Sequence, residues 1–268
     1  MLSPEPGIVD DSTPNASRVY DYYLGGSHNF AVDREMGDEA IALWPDLPLV
    51  MRANRAFLRR AVRYCADQGV TQFLDLGSGI PTAGNVHDVA QQSFPGARVV
   101  YVDSDPVAVA HSRRILEGNP DAAVVEADLS APADVLESDE VTLLLNLDEP
   151  VAVMMVAVLH FVADSDDPRS IIGAYRGALC PGSFLALSHA SHEGQPQQAA
   201  SHEDLYRRRT TTPMTMRSRD EVTALFAGFE LVEPGVVYLT QWRPESSDAA
   251  AENPERFPGL AGVGVLPS

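Results

Sequence analysis

The stretch FLDLGSGIP, residues 73–81, decides the fold of this chain. It is an apolar run that delivers Asp75 and then a Gly77-Ser78-Gly79 turn, which is typical of a buried strand ending where a ligand can approach the backbone. The turn does not complete the G-x-G-x-x-G pattern of dinucleotide-binding proteins, because residue 82 is threonine. We therefore expect a ligand site at the end of this strand, and an NAD site is disfavoured.

Short apolar runs alternate with helix-length segments on both sides of this stretch. This alternation predicts a parallel sheet covered by helices on both faces, which is a doubly wound, Rossmann-like α/β fold. We predict a helix at PVAVMMVAVLHFV (150–162). The predicted strands are TQFLDL (71–76), ARVVYV (97–102), AAVVEA (122–127), EVTLLLN (140–146) and GSFLALS (182–188).

The pattern divides the chain into three parts. Residues 1–70 contain two helix-like segments, 33–44 and 49–69, the second ending at Gly69. Residues 71–243 carry the α/β domain. Residues 244–268 belong to the same domain, and we expect a mobile loop there followed by a closing edge strand, LAGVGVL (260–266).

Charge and composition restrict the class of protein. The formal net charge is -19, and all 19 basic residues are arginine, which excludes Schiff-base chemistry and a P-loop lysine. Phosphate backbones and anionic membranes should be repelled. The acidic, proline-bearing N-terminus does not look like a signal peptide, and the longest apolar run (151–162) is too short for a bilayer. We expect a cytoplasmic protein without a metal site, binding neither nucleic acid nor membrane.

An acidic residue lies at the end of each of the first three predicted strands. Asp75, Asp103 in VVYVDSDP and Asp128 in VVEADLSAP are separated by 28 and 25 residues. A carboxylate at the end of the second strand can accept hydrogen bonds from a ribose diol, and one after the third can accept from an adenine amine. Each acid alone is more often a loop aspartate or a helix cap, but three in succession favour a nucleoside site.

These three motifs resemble those of class I S-adenosylmethionine-dependent methyltransferases. Together with SRVYDYYLGGSHNF, NRAFLRRAVR, VLHFV and PGSFLALSH, they are most similar to a bacterial, actinobacterial-type S-adenosyl methyltransferase family that was formerly a domain of unknown function. The resemblance extends from Pro14 to about Trp242. It implies a seven-stranded, mostly parallel sheet, an N-terminal helical lid and S-adenosylmethionine as the cofactor. The methyl acceptor of that family is undefined.

The resemblance also implies roles for the cofactor residues. Gly77, Ser78 and Gly79 would frame the amino-acid part of the cofactor, with Asp103 at the ribose and Asp128 at the adenine. Ser104 and Leu129 would flank the base and the sugar. Asn146, expected at the end of the fourth strand, would face the methionine end or the acceptor. The chain lacks the N/D-P-P-Y/F motif, so methylation of adenine or glutamine amino groups loses support.

The opening segment YDYYLGGSHNF (20–30) is interpreted as a lid over the cofactor, with a Gly25-Gly26 hinge and stacking tyrosines. Arg52, Asn54 and Arg55 would support it, an arginine pairing with the methionyl carboxylate. In the alternative, the tyrosines merely pack an extra helix against the sheet. The lid residues that we assign to the cofactor are Tyr22, Gly25, Asn29, Asp33, Arg52 and Asn54.

No catalytic residue is evident from the sequence. Methyl transfer needs alignment and exclusion of water, and a general base only where the acceptor must lose a proton. Candidate bases are His160, His189 and Tyr20. The leading interpretation is a methyltransferase acting on a small molecule. The alternatives are a regulatory protein that binds the cofactor without turnover and, less favoured, an NAD-dependent oxidoreductase.

Overall fold

The computed structural model describes residues 10–81, 84–245 and 253–268, and its centre is one β-sheet. The strand order is β3-β2-β1-β4-β5-β8-β6, and β7 also pairs with β8. The strands are Gln72–Leu76 (β1), Arg98–Asp103 (β2), Ala122–Glu126 (β3), Ala152–Val156 (β4), Phe184–Ala190 (β5), Glu230–Leu231 (β6), Val237–Tyr238 (β7) and Gly259–Val265 (β8).

Helices precede the sheet and connect its strands. Three of them, α1 to α3, come before β1. The α-helices are Ala16–Tyr23 (α1), Ala31–Leu43 (α2), Leu47–Asp67 (α3), Val86–Ser93 (α4), Pro106–Ile115 (α5), Pro132–Leu136 (α6), Asp139–Leu144 (α7), Pro168–Gly177 (α8), Pro196–Arg209 (α9) and Arg219–Ala224 (α10). None of the described helices has the length and apolarity needed to cross a bilayer.

The sheet confirms the predicted α/β fold with a mostly parallel, seven-position sheet. Strands β1 to β5 pair in parallel, and β8 runs antiparallel to β5. Strands β6 and β7 pair with successive parts of β8, at 264–265 and 260–261, so they share one position at the edge. The prediction of an edge strand at 260–266 was wrong: β8 lies inside the sheet. The loop predicted to be mobile includes residues 246–252, which lie outside the described residues.

The prediction for the fourth strand was also wrong. EVTLLLN forms helix α7, which begins at an N-cap Ser138 with acidic residues in its first turn. Leu143 is 86% exposed, so this apolar run does not enter the core. Strand β4 instead lies in VAVMM, predicted as helix, where Ala152 to Met155 are buried on both faces between β1 and β5. Short apolar runs cannot be assigned by periodicity alone.

Three apolar clusters cover the sheet and join the N-terminal helices to it. One face packs against α3 and α4, and the other against α7, α8 and α10. Arg60 of α3 donates hydrogen bonds to the carbonyl oxygens of Trp242 (2.8 Å) and Leu239 (2.6 Å), which ties α3 to the C-terminal part of the fold. The third cluster joins α1 and α2 to α9 and to Met214 and Met216. The N-terminal helices are thereby held at the carboxyl ends of the strands.

Candidate active site

Two adjoining cavities lie at the carboxyl ends of the parallel strands. The outer cavity encloses about 1230 Å³ of empty space, including its opening to solvent, and the inner one about 650 Å³. The outer cavity sits between β1 and β4, where the strand order reverses, and such switch points are the usual ligand sites of open α/β sheets. Five residues line both cavities: Ala16, Tyr20, Asn54, Ala157 and Phe161.

The turn after β1 forms the floor of the outer cavity. Gly77 and Gly79 have φ angles of +68° and +67°, which other residues adopt only at a cost. A Cβ on Gly77 would lie 2.2 Å from the Val158 side chain, so glycine is needed for the loop after β4 to approach this turn. A Cβ on Gly79 would meet no atom within 4 Å. The turn therefore leaves its backbone open to a ligand.

Asp103 fixes the geometry of this turn. Its carboxylate accepts hydrogen bonds from the backbone N–H groups of Gly79 (2.7 Å) and Asp105 (2.8 Å). Burial raises the pKa of Asp103 to about 6. Burial also raises the pKa of Asp75 to about 7, with Arg55 acting to lower it and Asp103 to raise it. The outer cavity thus holds two desolvated carboxyl groups beside one guanidinium.

Two buried polar atoms on the wall of the outer cavity have no hydrogen-bond partner among the described residues. They are the Ser78 hydroxyl and the Nε atom of Arg55. The Nη2 atom of Arg55 donates to the Gly84 carbonyl and to Asn85 Oδ1, both at 3.3 Å. Unpaired buried polar groups are costly unless a ligand pairs with them. Carboxylates for a ribose, open glycine amides and a guanidinium together fit a nucleoside with an amino-acid tail.

A chain of hydrogen bonds crosses the wall between the two cavities. Asn54 donates to the Tyr20 hydroxyl (2.9 Å) and accepts from the Ser188 hydroxyl (2.5 Å). Ser188 in turn accepts from the backbone N–H of Ala157 (3.0 Å), whose φ of +58° is unusual for a residue with a side chain. Burial raises the pKa of Tyr20, so this hydroxyl stays protonated. The wall is held by neutral groups.

The inner cavity is lined mainly by apolar and aromatic side chains. Its walls come from α1, α3, α9, the end of β5 and the segment before β8. Three histidines face it, His160, His189 and His202, and burial lowers the pKa of each below the usual value, to about 4 for His189 and His202. They are therefore uncharged at neutral pH. Among the described residues, none that lines this cavity carries a carboxylate or a guanidinium.

The three predicted base candidates differ in what they can still bind. His189 has both ring nitrogens engaged, Nδ1 with the Ala190 carbonyl (2.7 Å) and Nε2 with the Arg217 guanidinium (2.7 Å). His160 accepts at Nδ1 from the backbone N–H of Ala190 (3.4 Å), which leaves Nε2 as a donor. Tyr20 is bound to Asn54. None of these three groups is arranged as a proton acceptor.

Most of the sequence-predicted residues come together at these cavities. Tyr20 and Asn54 lie on the shared wall, and His160 and His189 line the inner cavity. Among the described residues, no cluster of three or more His, Cys, Asp or Glu side chains could hold a metal ion. The predicted residues that line the outer cavity are Gly77, Ser78, Gly79, Asp103, Ser104, Asp128 and Leu129.

Asn146 lies at the amino ends of the strands, whereas it was predicted at their carboxyl ends. Its backbone N–H donates to the side-chain amide oxygen Oε1 of Gln72 at 2.7 Å, and Gln72 opens β1 at its amino end. The misassigned fourth strand caused this error, because Asn146 follows α7 and not a strand. Residues 156–158, which comprise the last residue of β4 and the two after it, line the cavity instead.

Arg52 does not reach the outer cavity either. Its side chain is exposed and its Nε donates to the Pro48 carbonyl (3.1 Å) within the same helix. Arg55, three residues later, lines the cavity. The sequence predicted that an arginine of α3 reaches the site. Which arginine does so depends on which face of the helix packs toward the cavity.

The polar residues of the opening segment hold the segment itself. Asp21 accepts from the backbone of His28 and from the side chain of Asn29, and Asp33 accepts from the backbone N–H groups of Asn15 and Phe30. Four residues assigned to the cofactor therefore do not line either cavity: Tyr22, Gly25, Asn29 and Asp33. The Tyr22 hydroxyl donates to Asp38 instead. Helix α1 supplies the cover instead, through residues 15–17, Tyr20 and Tyr23.

Sequence reasoning missed much of the inner cavity wall. The sequence analysis assigned no role to His202 or Tyr206. Their i, i+4 spacing on α9 puts both on one helix face, a signal that could have been used. The other missed residues carry no local signal and are Trp44, Met214 and Met216.

Comparisons with known proteins agree with this geometry. The crystal structure of a DUF574 family protein from Streptomyces avermitilis is similar with a TM-score of 0.93 and 39% identity, over 96% of this chain and 99% of that one. A proposed methyltransferase from Thermobifida fusca is similar with a TM-score of 0.91 and 40% identity over both full lengths. The pyocyanin biosynthetic protein PhzM is similar with a TM-score of 0.52 and 15% identity, over 83% of this chain and 59% of that one. At this identity the similarity shows only that the two proteins share a fold.

No curated protein matched the sequence. The model of the S-adenosyl methyltransferase family matches residues 3–267, almost the whole chain. The cavity with a carboxylate for a ribose and an arginine for an amino-acid tail is the kind of site that such a cofactor requires. The chain therefore belongs to the S-adenosyl methyltransferase family and is an S-adenosylmethionine-dependent methyltransferase.

Proposed function

We propose that this enzyme transfers a methyl group from S-adenosylmethionine in the outer cavity to a small molecule in the inner cavity. The observation that carries the proposal is the shared wall, where Tyr20, Asn54 and Phe161 line both spaces. Ligands bound in the two cavities would therefore contact the same side chains and lie next to each other. Proximity and orientation of this kind can supply most of the acceleration of a displacement reaction.

The residues of the outer cavity are assigned to the parts of the cofactor. Asp103 accepts from the ribose hydroxyls, and Asp128 accepts from the adenine amine. Ser104 and Leu129 flank the sugar and the base. The turn Gly77 to Gly79 and Arg55 hold the amino-acid part, with the guanidinium on its carboxylate. When bound, S-adenosylmethionine supplies an electrophilic methyl group on a cationic sulfur.

Helix α1 acts as the cover of both ligands. Ala16 and Tyr20 line the outer and the inner cavity, and the segment that follows α1 is tied down by Asp21 and Asp33. Covering the site keeps water from the reacting groups. We assign residues 1–70 to this lid segment, 71–243 to the cofactor domain and 244–268 to its closing part.

The reaction proceeds by positioning, without a base among the three candidates. His189 is held by Arg217 and Ala190, Tyr20 stays protonated, and His160 presents a donor. A proton that the acceptor must lose would leave to solvent after transfer. His160 can instead donate a hydrogen bond that orients the acceptor.

The size of the inner cavity supports a small acceptor over a macromolecule. Its space of about 650 Å³, which includes its opening to solvent, is lined largely by α1, α3 and α9 and matches the size of a small molecule. The net charge of -19 further opposes nucleic acid. Since the similar proteins come from bacteria, we also propose a bacterial enzyme that works in the cytoplasm.

Calorimetric titration tests the proposal. S-adenosylmethionine and S-adenosylhomocysteine should bind at one site per chain, and NAD should not. Binding of NAD alone would contradict the cofactor assignment. Incubation with S-adenosylmethionine and a small-molecule extract of an actinobacterium should then form S-adenosylhomocysteine. Cofactor binding without this product from any extract would support the regulatory alternative.

A further inference from the structure

The inner cavity presents a neutral lining to its ligand. Its polar side chains are hydroxyl groups, one amide, one indole and three histidines, and burial lowers the pKa of each histidine. An ion placed here would lose its hydration without finding an opposite charge among the described residues of the wall, which is costly. The wall therefore favours an uncharged ligand.

Aromatic rings make up much of the same wall. Trp44 and His202 are in edge contact, with centroids 6.1 Å apart, and His202 makes a similar contact with Tyr206 at 5.0 Å. Tyr206 also packs at 5.6 Å from Phe161, which lies on the boundary with the outer cavity. Rings arranged in this way favour a flat, aromatic ligand through stacking and edge contacts.

Two polar groups of this wall are buried without a hydrogen bond among the described residues. They are the Nε2 atom of His202 and the hydroxyl of Tyr23. Burial raises the pKa of Tyr23, and the nearby Tyr206 hydroxyl adds to this through a weak hydrogen-bond interaction, but no hydrogen bond of ordinary geometry joins the Tyr23 hydroxyl to a described residue. In His189, by contrast, both ring nitrogens have hydrogen-bond partners. Neither Tyr23 nor His202 lines the outer cavity, so these two groups are set apart from the boundary where the methyl group would arrive.

We propose that the acceptor is a neutral, aromatic small molecule whose second polar group, a hydroxyl or an equivalent, is bound by His202 and Tyr23. The proposal rests on the proposed function, since it names the substrate class of the same inner cavity. Unpaired buried polar groups normally cost stability. A ligand that pairs with the His202 and Tyr23 groups explains why they lie unpaired in an otherwise apolar wall. The same pairing would orient the nucleophile of the acceptor toward Tyr20 and Asn54.

Stability measurements test whether these polar groups serve a ligand. Tyr23→Phe and His202→Phe each remove a buried polar group that makes no hydrogen bond of ordinary geometry to a described residue, so each should raise the melting temperature by about 3 °C. Tyr175→Phe is the matched control, because the Tyr175 hydroxyl donates to the Leu129 carbonyl at 2.9 Å, and its removal should lower the melting temperature by a similar amount. A fall in both test variants as large as in the control would contradict the proposal, since it would show a structural role.

Binding of matched probes tests the substrate class. The probes are 2-naphthol, naphthalene and 2-naphthoate, with 2-naphthol followed by its fluorescence and the other two by displacement. We expect 2-naphthol to bind about fivefold more tightly than naphthalene and about tenfold or more tightly than 2-naphthoate. In the double variant Tyr23→Phe/His202→Phe the preference over naphthalene should vanish. Equal binding, tightest binding of 2-naphthoate or no binding of any probe would overturn the proposal.

The two proposals can fail separately. The probe titrations are run without cofactor and again with saturating S-adenosylhomocysteine. A retained preference for 2-naphthol in a protein that does not bind S-adenosylhomocysteine would remove the methyl-transfer proposal and support the selectivity of the cavity. Normal binding of S-adenosylhomocysteine with no preference among the probes would remove only the substrate class.

Discussion

The outer and inner cavities share a wall, yet they are built from different kinds of sequence. The outer cavity is formed mostly by residues that directly follow strands, such as Gly79 after β1 and Asp103 at the end of β2. The inner cavity is formed by helices far apart in the chain, with Tyr23 in α1 and Tyr206 in α9. The first carries desolvated carboxyl groups and the second uncharged rings. The outer cavity can therefore be specified by local motifs, whereas the inner cavity requires the folded chain.

The two cavities should also respond to pH in opposite ways. Burial raises the pKa of Asp75 in the outer cavity and lowers the pKa of His202 in the inner one. A raised carboxyl pKa means that the folded state binds more protons than the unfolded state, so stability falls as pH rises through that window. A lowered histidine pKa means the reverse, and stability falls as pH falls. Variants on each side can separate the two effects.

Asp75→Asn should give the largest change. The Asp75 pKa lies at about 7 in the folded protein against 3.8 for the free group, so ionisation destabilises the fold increasingly from about pH 4 to pH 7. Asparagine cannot ionise, and we expect a gain in the free energy of unfolding of up to about 4 kcal/mol at pH 8. Urea denaturation at pH 5 and pH 8 measures it, with exposed Asp148→Asn as the control. A loss at pH 8 would contradict the assignment of a desolvated carboxylate.

Asp103→Asn tests the cofactor side. The variant keeps the shape of the side chain but loses the charge that accepts from Gly79 and, in our proposal, from the ribose. The affinity for S-adenosylhomocysteine should fall about 100-fold, as for loss of charge-assisted hydrogen bonds. Calorimetry of this variant beside Asp134→Asn, an exposed aspartate of α6, separates the effect from a change in overall charge. Unchanged affinity would exclude Asp103 as a ligand of the cofactor.

His202→Phe tests the opposite pH dependence of the inner cavity. In the folded chain His202 has a pKa of about 4 against 6.5, so the unfolded state takes up its proton first and stability is lost as pH falls from about 6.5 to 4. The variant removes this loss, and its advantage over the parent should be about 2 kcal/mol larger at pH 5 than at pH 8. Thermal unfolding at the two pH values provides the measurement. An advantage that does not grow toward low pH would count against a neutral, buried His202.

Arg55→Met gives the smallest of the four effects, and Arg52→Met is its matched control on the same helix. Only Arg55 lines the outer cavity, and its Nε is unpaired among the described residues. We expect about tenfold weaker binding of S-adenosylhomocysteine for Arg55→Met, from the loss of a charge-assisted hydrogen bond. Arg52→Met should bind as the parent does. The opposite result would restore the original assignment of Arg52.

The same division between local and distant residues explains which predictions succeeded. Strands β1 and β2 and the residues after them were placed well, because the apolar run, the turn and the acid are contiguous in the chain. The fourth strand was misplaced, because EVTLLLN and VAVMM are both short apolar runs and only burial distinguishes them. Asn146 was misplaced with it. On α3, the choice between Arg52 and Arg55 depended on how the helix packs, which the residue pattern alone did not settle.

The sequence by itself determined the doubly wound sheet and the strand-end residues of the outer cavity. Apolar strands must be buried, and the glycines and acidic residues at their ends lie where the chain turns. The sheet and the turn residues therefore follow from residues that are neighbours in the chain. Only the tertiary structure decided that α1 and α9 enclose a neutral aromatic cavity beside the cofactor site. Contacts between Tyr23, Trp44, His202 and Tyr206 exist only after helices far apart in the chain have packed together. Burial, which removes both their water and their charge, arises at that same step.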